Sequence, residues 1–260
     1  MLILIMPMDW HKKPLNKGER LASFDIDEFL LILNAMRMSK SGRKQPLGKY
    51  RVGDVMNDSV HLIVMCKAPV SGFVKTRLSP PYSADEAAAI YRAMAETVIS
   101  RNSTMFSNTW IAADDTTHPF FKRFNLPIVD QGEGDLGNRM TRLTSKAFAE
   151  GAAAVLFVGT DSPHMPESRL TRAVEMLGSF DAVVGPVEDG GYDLITMNGA
   201  YTDLFREIQW SSGLVLDQTL QRANASGISI GQLDVSFDLD TAESLERAKP
   251  LWSPMLQARK

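Results

Sequence analysis

The feature that most constrains the fold is an alternation, from residue 59 onward, of short apolar runs with segments of helical length. The runs HLIVMC, TWIAA, AAVLFVG and DAVVGP are almost wholly apolar, which is typical of strands that are covered on both faces. Strands that alternate with helices in this way predict an α/β fold, with a mainly parallel sheet and helices on both of its faces. In such sheets, ligands bind beyond the carboxyl ends of the strands.

Local signals mark where the predicted helices begin and end. Ser83 and Glu86 form a capping-box pattern, and Gly151 closes the helix that starts at Asp135. Pro166 is predicted at the first helical position of the next helix. The predicted helices span residues 83–100, 135–151, 166–177, 212–227 and 241–249, and the predicted strands span 61–66, 109–113, 153–159, 181–186, 191–197 and 228–235.

The first 58 residues differ in character from the rest. They carry ten Lys and Arg against seven Asp and Glu, a net charge of +3, whereas the remainder has 18 against 24, a net charge of −6. Only residues 24–38 of this part have helical apolar spacing, and a stretch rich in Gly, Ser and Lys follows them. We therefore expect residues 1–58 to be an extension with one short helix and a flexible tether, and residues 59–260 to be the folded domain. Alternatively, the working chain begins at Met56.

Composition excludes several classes of protein. A net charge of −3 and a pI near 5.8 disfavour binding of nucleic acid through a broad basic face. The single cysteine, Cys66, ends an apolar run, so we expect a small buried side chain rather than a disulfide or a cysteine metal cluster. No apolar stretch is long enough to cross a bilayer, and the first residues lack the pattern of a signal peptide. The prediction is a cytoplasmic protein without a transmembrane segment.

Three cations cluster in the loop KAPVSGFVKTRL, which directly follows the first predicted strand. Lys67, Lys75 and Arg77 could donate charge-assisted hydrogen bonds to phosphate oxygens, and Gly72 would let the backbone approach a ligand. The loop matches neither the P-loop pattern nor the dinucleotide-binding fingerprint. A solvated basic turn is the alternative interpretation.

Acidic residues follow two other predicted strands. Asp161 stands just beyond the strand AAVLFVG, and Asp238 and Asp240 stand between the last strand and the last helix. Carboxylates in such places can hold Mg²⁺ or Mn²⁺, with phosphates and water as the other ligands. The alternative is that Asp161 caps the turn before Pro163 and that Asp240 caps the helix after it.

The segment GPVEDGGYD also follows a predicted strand. Gly190 and Gly191 permit a tight turn against a ligand, and Glu188 and Asp189 offer acceptors for hydroxyl groups, although the same residues would suit a plain hairpin. Serine hydrolase chemistry at Ser162 is disfavoured because the chain has no G-x-S-x-G elbow.

Together these motifs resemble a bacterial family of GT-A-type glycosyltransferases. KAPVSGFVKTRL, GTDSP, GPVEDGGYD and DLDTAESL match four family motifs in order, and the likeness covers roughly residues 60–248. QGEGDLGNRM and IQWSSGLVLDQT resemble two further family segments. The resemblance implies the Rossmann-like nucleotide-diphospho-sugar transferase fold, which is shared with the guanylyltransferases of molybdenum-cofactor and phospholactate metabolism.

The resemblance also implies roles for individual residues. It assigns Lys67, Gly72, Lys75, Arg77, Gly137 and Arg139 to the nucleotide and its phosphates, Asp161, Asp238 and Asp240 to the metal, Asp189 and Asp161 to catalysis, and Gly190, Gly191, Asp193, Trp210 and Ser211 to the sugar or acceptor. The sequence departs from the family at two of its positions, where Asp193 replaces an aromatic residue and Ser212 replaces a threonine. Asp193 would add an acid beside the acceptor, so the acceptor can differ from that of relatives.

Three functions are compatible with these residues. The first hypothesis is a glycosyltransferase that depends on Mg²⁺ or Mn²⁺ and moves a sugar from a nucleotide diphosphate to a small-molecule acceptor. The second is a nucleotidyltransferase that joins an NTP to a small phosphorylated acceptor. The third is a non-catalytic nucleotide-binding protein. Because one fold supports all three, the choice among them depends on family analogy.

Overall fold

The computed structural model describes residues 59–257. The extension predicted for residues 1–58, with its helix over 24–38, lies outside the described residues. None of the helices within 59–257 combines the length and the hydropathy that a membrane span requires.

Seven strands form one sheet in the described part of the chain, in the order β3-β2-β1-β4-β6-β5-β7. All neighbouring pairs are parallel except those that involve β6, which runs antiparallel to β4 and β5. The predicted α/β fold with a mainly parallel sheet is therefore confirmed. The strands are β1 (Val60–Cys66), β2 (Asn108–Ala113), β3 (Ile128–Asp130), β4 (Ala154–Val158), β5 (Ala182–Pro186), β6 (Tyr192–Met197) and β7 (Ile230–Gln232).

The described helices follow the predicted boundaries closely at their amino ends. The capping box of Ser83 and Glu86 is present, and Asp135 caps the next helix by accepting a hydrogen bond from the N–H of Asn138 at 2.8 Å. Pro166 takes the N-cap position rather than the predicted first helical position, so this helix begins one residue later than predicted, at Glu167. The helices are α1 (Ala84–Met105), α2 (Leu136–Ala149), α3 (Glu167–Met176), α4 (Val215–Ala225) and α5 (Ala242–Gln257), and short 3-10 turns occur at Thr76–Leu78, Phe121–Arg123 and Thr202–Phe205.

Apolar side chains pack on both faces of the sheet. On β1, Leu62 and Val64 belong to one cluster with α1 and α3, whereas Ile63 belongs to a second cluster with α2 and α4. This double coverage explains why the strands are continuously apolar instead of alternating. Cys66 is 1% exposed, as predicted for a small buried side chain, and burial raises the pKa of its thiol to about 12.

A third, smaller cluster carries the end of the chain. Phe237 and Leu239 pack with Trp252 of α5 and with Met94 of α1. The Trp252 indole N–H also donates to the Thr97 hydroxyl at 3.1 Å. These contacts explain why α5 extends beyond residue 249, the predicted end, and they fix the segment that precedes it.

The topology gathers several loops at one edge of the sheet. Strands β1, β2, β3, β4, β5 and β7 point the same way, so their carboxyl ends meet there. Because β6 runs in the opposite direction, the turn between β5 and β6 lies at that edge too. The loops after β1, β4, β5 and β7 contain most of the predicted site residues.

Candidate active site

Three of the predicted site residues meet at one point. The Lys75 ammonium lies 2.7 Å from Oδ1 of Asp161 and 2.5 Å from Oδ1 of Asp240. The lysine side chain is 5% exposed, whereas the two carboxylate side chains are 44% and 35% exposed. Burial lowers the pKa of Lys75, but the two carboxylates outweigh it and raise that pKa above its ordinary value. The loops after β1, β4 and β7 therefore build a charged centre that faces solvent on its acidic side.

Backbone contacts hold the two acidic loops together. The N–H of Leu239 donates to the backbone carbonyl of Asp161 at 2.9 Å. The Ser162 hydroxyl donates to Oδ1 of Asp238 at 2.7 Å. Burial raises the pKa of Asp238 to about 7. The hydrogen bond from Ser162 lowers this pKa, whereas the negative charge of Asp161 raises it. Asp238 thus fastens one loop to the other and faces Ser162, whereas Asp240 faces Lys75.

The backbone of the cationic loop aims Lys75 inward. Lys75 has φ +47°, a left-handed conformation that is uncommon for residues other than glycine. Its neighbours Val74 and Leu78 are 4% and 1% exposed and anchor the loop on the core. Arg77 points outward: its side chain is 73% exposed, and its guanidinium lies 3.7 Å from Asp240. The interpretation of a solvated basic turn therefore does not describe Lys75.

The first half of this loop is open to solvent. Lys67 is exposed, while its backbone N–H donates to the Tyr91 hydroxyl at 2.9 Å. Gly72 has φ +80° and no atom near the place where a Cβ would stand. Phe73 beside it is 79% exposed. Side chains at 67 and 73 are thus available to a ligand.

Tyr91 of α1 is a positioning residue that the sequence did not reveal. Its hydroxyl accepts from the Lys67 N–H and from the Thr160 hydroxyl, the latter at 3.2 Å, and so joins the ends of β1 and β4. Chiefly because of burial, the pKa of Tyr91 lies well above its ordinary value. In the sequence, Tyr91 is simply one more residue on the buried side of a predicted helix.

Arg139 and Gly137, both near the start of α2, have different surroundings. Arg139 donates to the Gln131 side chain at 3.0 Å, and Gln131 in turn donates to the carbonyls of Cys66 and Ala112 at the ends of β1 and β2. Gly137 is buried, and a Cβ there would come within 2.4 Å of the Phe205 carbonyl. Arg139 therefore lies at the carboxyl edge, and Gly137 serves helix packing.

The turn between β5 and β6 contains the predicted acceptor residues. Oδ1 of Asp189, which is exposed, accepts from the N–H of Gly191 at 2.9 Å. Gly190 has φ +86°, and a Cβ there would come within 2.2 Å of the Gly213 carbonyl oxygen. The Gly190 carbonyl also accepts from the N–H of Leu216 at 2.9 Å. The segment is a hairpin turn, and it is hydrogen-bonded to the first turn of α4.

Trp210 and Ser211 lie in the loop that precedes α4. Trp210 packs edge-on against Tyr192, with 6.5 Å between ring centroids. Its indole nitrogen would lie 2.9 Å from a Cβ at Gly137, so the ring fills the space that this glycine leaves. Ser211 is exposed and has φ +62°. Trp210 is therefore mainly a packing residue, while Ser211 is accessible.

The structure corrects the position of Asp193. Its side chain is 1% exposed and forms an ion pair with Arg169 of α3, with Oδ2 3.0 Å from Nε and Oδ1 3.1 Å from Nη2. Burial raises the pKa of Asp193 to about 6, against the lowering effect of Arg169. The guanidinium also donates to the carbonyls of Pro186 and Asp234. Asp193 thus does not line an acceptor pocket, because its side chain points into the core and joins α3 to the sheet.

A stack of side chains connects the last helix with the site loops. Arg247 of α5 forms a bidentate ion pair with Glu188, at 2.7 and 2.9 Å, and lies 3.9 Å above the Phe237 ring. The His164 ring stacks on Phe237 as well, at 4.1 Å. This contact explains the presence of His164 without assigning it to a metal or a nucleophile.

The stability of the fold should depend on the protonation of His164. Burial, together with the charges of Arg101, Arg247 and Arg169, lowers the pKa of His164 to about 4. The unfolded chain binds this proton below about pH 6.5, so the stabilisation is complete above that pH and is lost as the pH falls toward 4. Between pH 7 and pH 5, urea unfolding should show the unmodified protein losing up to about 2 kcal/mol of stability relative to His164→Asn, because the raised pKa values of Asp193 and Asp238 affect both proteins alike. The same change of stability with pH in both proteins would contradict this prediction.

Comparisons with known proteins show one family and several solved structures to which the chain is similar. Residues 100–212 match the family described as "Uncharacterized protein conserved in bacteria (DUF2064)". A comparison with curated proteins finds no match. Among solved structures, a protein of Desulfovibrio desulfuricans G20, provisionally assigned as a nucleotide-diphospho-sugar transferase, is 26% identical with a TM-score of 0.70, over 77% of this chain and 95% of that one.

More distant structures share the fold alone. A CMP:2-keto-3-deoxy-manno-octonic acid synthetase complexed with CTP has 12% identity and a TM-score of 0.51, over 75% of this chain and 99% of that one. A 4-diphosphocytidyl-2C-methyl-D-erythritol synthase of Anaerococcus prevotii DSM 20548 has 11% identity and a TM-score of 0.50, over 76% and 99%. Residues 100–212 are thus similar to the DUF2064 family, and the fold of the chain is that of the nucleotide-diphospho-sugar transferases.

Proposed function

We propose that this protein is a metal-dependent glycosyltransferase that moves a sugar from a nucleotide diphosphate to a small-molecule acceptor. The observation that carries the proposal is the convergence of Asp161 and Asp240 on one cation position at the carboxyl edge of the sheet. The relative of highest similarity described above, provisionally assigned to nucleotide-diphospho-sugar transfer, supports the sugar donor.

The carboxylates of Asp161 and Asp240 fit a hard divalent cation. Each directs Oδ1 at the same point and keeps about a third or more of its side chain exposed, which leaves room for phosphate and water ligands. Among the described residues no group of three or more His, Cys, Asp and Glu side chains could hold a metal, so the phosphates would have to supply much of the coordination. When bound, Mg²⁺ or Mn²⁺ would stabilise the negative charge of the leaving diphosphate.

The cations of the first loop would act on the same charge. Arg77 is exposed beside Asp240, and Lys67 is exposed at the start of the loop, so both are available to phosphate oxygens. As the bond between the sugar carbon and the diphosphate oxygen breaks, a bond forms from that carbon to the acceptor oxygen. Asp189, exposed in the β5–β6 turn, is the proposed base that receives the acceptor proton.

A nucleotidyltransferase is the second candidate. The support for it is the fold shared with a synthetase that was solved in complex with CTP. In that case the same carboxylates and cations would stabilise departing pyrophosphate rather than a nucleoside diphosphate. The first candidate is favoured because the synthetase is only 12% identical and the relative provisionally assigned to nucleotide-diphospho-sugar transfer is 26% identical. The non-catalytic alternative leaves the exposed acidic centre without a role.

The products distinguish the two enzymes. We expect that incubation with Mn²⁺ and UDP-, GDP- or dTDP-sugars releases nucleoside diphosphate from one of these donors, by slow hydrolysis even without an acceptor. No NTP should yield pyrophosphate. Pyrophosphate from an NTP and a small phosphorylated acid, with every nucleotide sugar intact, would instead establish the second candidate. Intact substrates in every mixture would favour the non-catalytic alternative.

A further inference from the structure

The Lys75 ammonium stands where a cation shared by Asp161 and Asp240 would stand. It lies within 2.7 Å of one Oδ1 atom from each carboxylate. We propose that Lys75 is the internal counter-ion of the free site, so that metal and diphosphate bind cooperatively: the diphosphate draws Lys75 away and the metal takes its place. This inference rests on the proposed function, because it concerns the same metal and the same diphosphate.

The free protein needs a positive charge at this point. The backbone contact between Leu239 and Asp161 holds the two acidic loops together. Two carboxylates held this close repel each other unless a cation lies between them. Lys75 supplies that charge from inside the protein, since its side chain is 5% exposed.

A metal ion and the ammonium compete for the same oxygen atoms. A divalent cation held by both Oδ1 atoms would need the lone pairs that now accept from Lys75, and the two positive charges would repel each other. Metal alone should therefore bind weakly to the free protein. We attribute the weak metal binding to Lys75 and not to every basic residue nearby. The side chain of Arg77 is 73% exposed, so water screens its charge.

Phosphate oxygens bound by Arg77 would be the alternative partner of Lys75. Lys75 sits in the left-handed region of backbone space between the buried anchors Val74 and Leu78, and non-glycine residues keep this conformation only where their surroundings determine it. With this backbone fixed, Lys75 would exchange the carboxylates for phosphate oxygens beside Arg77, whose guanidinium lies 3.7 Å from Asp240. Because coupling between two ligands is reciprocal, diphosphate should strengthen metal binding and metal should strengthen diphosphate binding equally.

The test measures metal binding without any nucleotide. Free Mn²⁺ is titrated by electron paramagnetic resonance into the full chain, into Lys75→Met and into Arg77→Met. We expect Lys75→Met to bind Mn²⁺ about tenfold or more tightly than the unmodified protein, because its carboxylates are freed. Arg77→Met removes the same charge from an exposed position and should change the affinity by less than about threefold.

The outcomes separate this inference from the proposed function. If Lys75→Met binds Mn²⁺ no more tightly than the unmodified protein, or if both variants gain equally, the counter-ion role is overturned while the metal site stands. If neither variant nor the unmodified chain binds Mn²⁺ in the absence of nucleotide, the counter-ion role is overturned, whereas the proposed metal dependence is decided separately by the rate of diphosphate release with and without Mn²⁺. Lys75→Gln, which keeps a polar side chain without charge, replaces Lys75→Met if circular dichroism shows the latter to be unfolded, and the same thresholds apply.

Discussion

Asp161→Asn and Asp240→Asn should each lower metal-dependent release of nucleoside diphosphate about a hundredfold or more. Either change removes a formal negative charge from the cation position while it keeps the size of the side chain. Loss of a single group that stabilises transition-state charge commonly costs a factor of about 10² to 10³ in rate. The measurement is the rate of diphosphate release from the active nucleotide sugar as a function of Mn²⁺ concentration.

Asp203→Asn is the matched control for these two variants. Asp203 is also an exposed acid paired with a basic residue, Arg206, but it lies in the 3-10 turn after β6 and outside the site. It should leave both the rate and its dependence on Mn²⁺ unchanged. A rate within about threefold of the unmodified protein for Asp161→Asn and Asp240→Asn would contradict the metal assignment.

The largest loss of stability is expected from Asp193→Ala, at about 3–5 kcal/mol of the free energy of unfolding. The substitution leaves the Arg169 guanidinium, whose side chain is 10% exposed, without its carboxylate partner inside the protein. Removing one member of a buried ion pair is costly because the other charge stays desolvated. Urea unfolding at pH 7.5, well above the pKa of Asp193, gives the value directly.

Asp203→Ala serves as the control for stability as well. Its partner Arg206 is 73% exposed, so the loss of this pair should cost less than about 1 kcal/mol. A second comparison is Arg169→Met with Asp193→Leu in one protein, which removes both charges and should recover part of the loss. A cost for Asp193→Ala as small as that of Asp203→Ala would mean that Asp193 faces solvent, as an acceptor-side residue would.

Much of the fold could be predicted because the relevant interactions are local. The buried strands are recognisable from their apolar runs, and the capping box of Ser83 and the cap at Asp135 act within three residues. The sequence does not predict β3, because only three residues, Ile128–Asp130, pair with β2, and these are too few for any periodic pattern. β7 is shorter than residues 228–235 for a related reason: its apolar pattern continues, but its pairing with β5 ends at Gln232.

Some residues of the candidate site can likewise be predicted from the sequence, whereas others cannot. The loops after β1, β4 and β7 are predictable because parallel strands bring their carboxyl ends to one edge, and these loops contain Lys75, Asp161 and Asp240. The role of Tyr91 was not predictable. It depends on a hydroxyl that reaches the ends of two strands from a helix, a contact that leaves no mark in the spacing of residues.

By itself, the sequence determined the α/β class, the order of most elements and the loops that carry charge, because these follow from burial patterns and from the direction of parallel strands. Only the tertiary structure decided which charges face one another. Asp193 and Asp240 are both acids near the ends of strands, yet one is buried against Arg169 and the other opens to solvent beside Lys75. Side-chain direction and burial decide between these outcomes, and both arise from contacts between residues far apart in the chain.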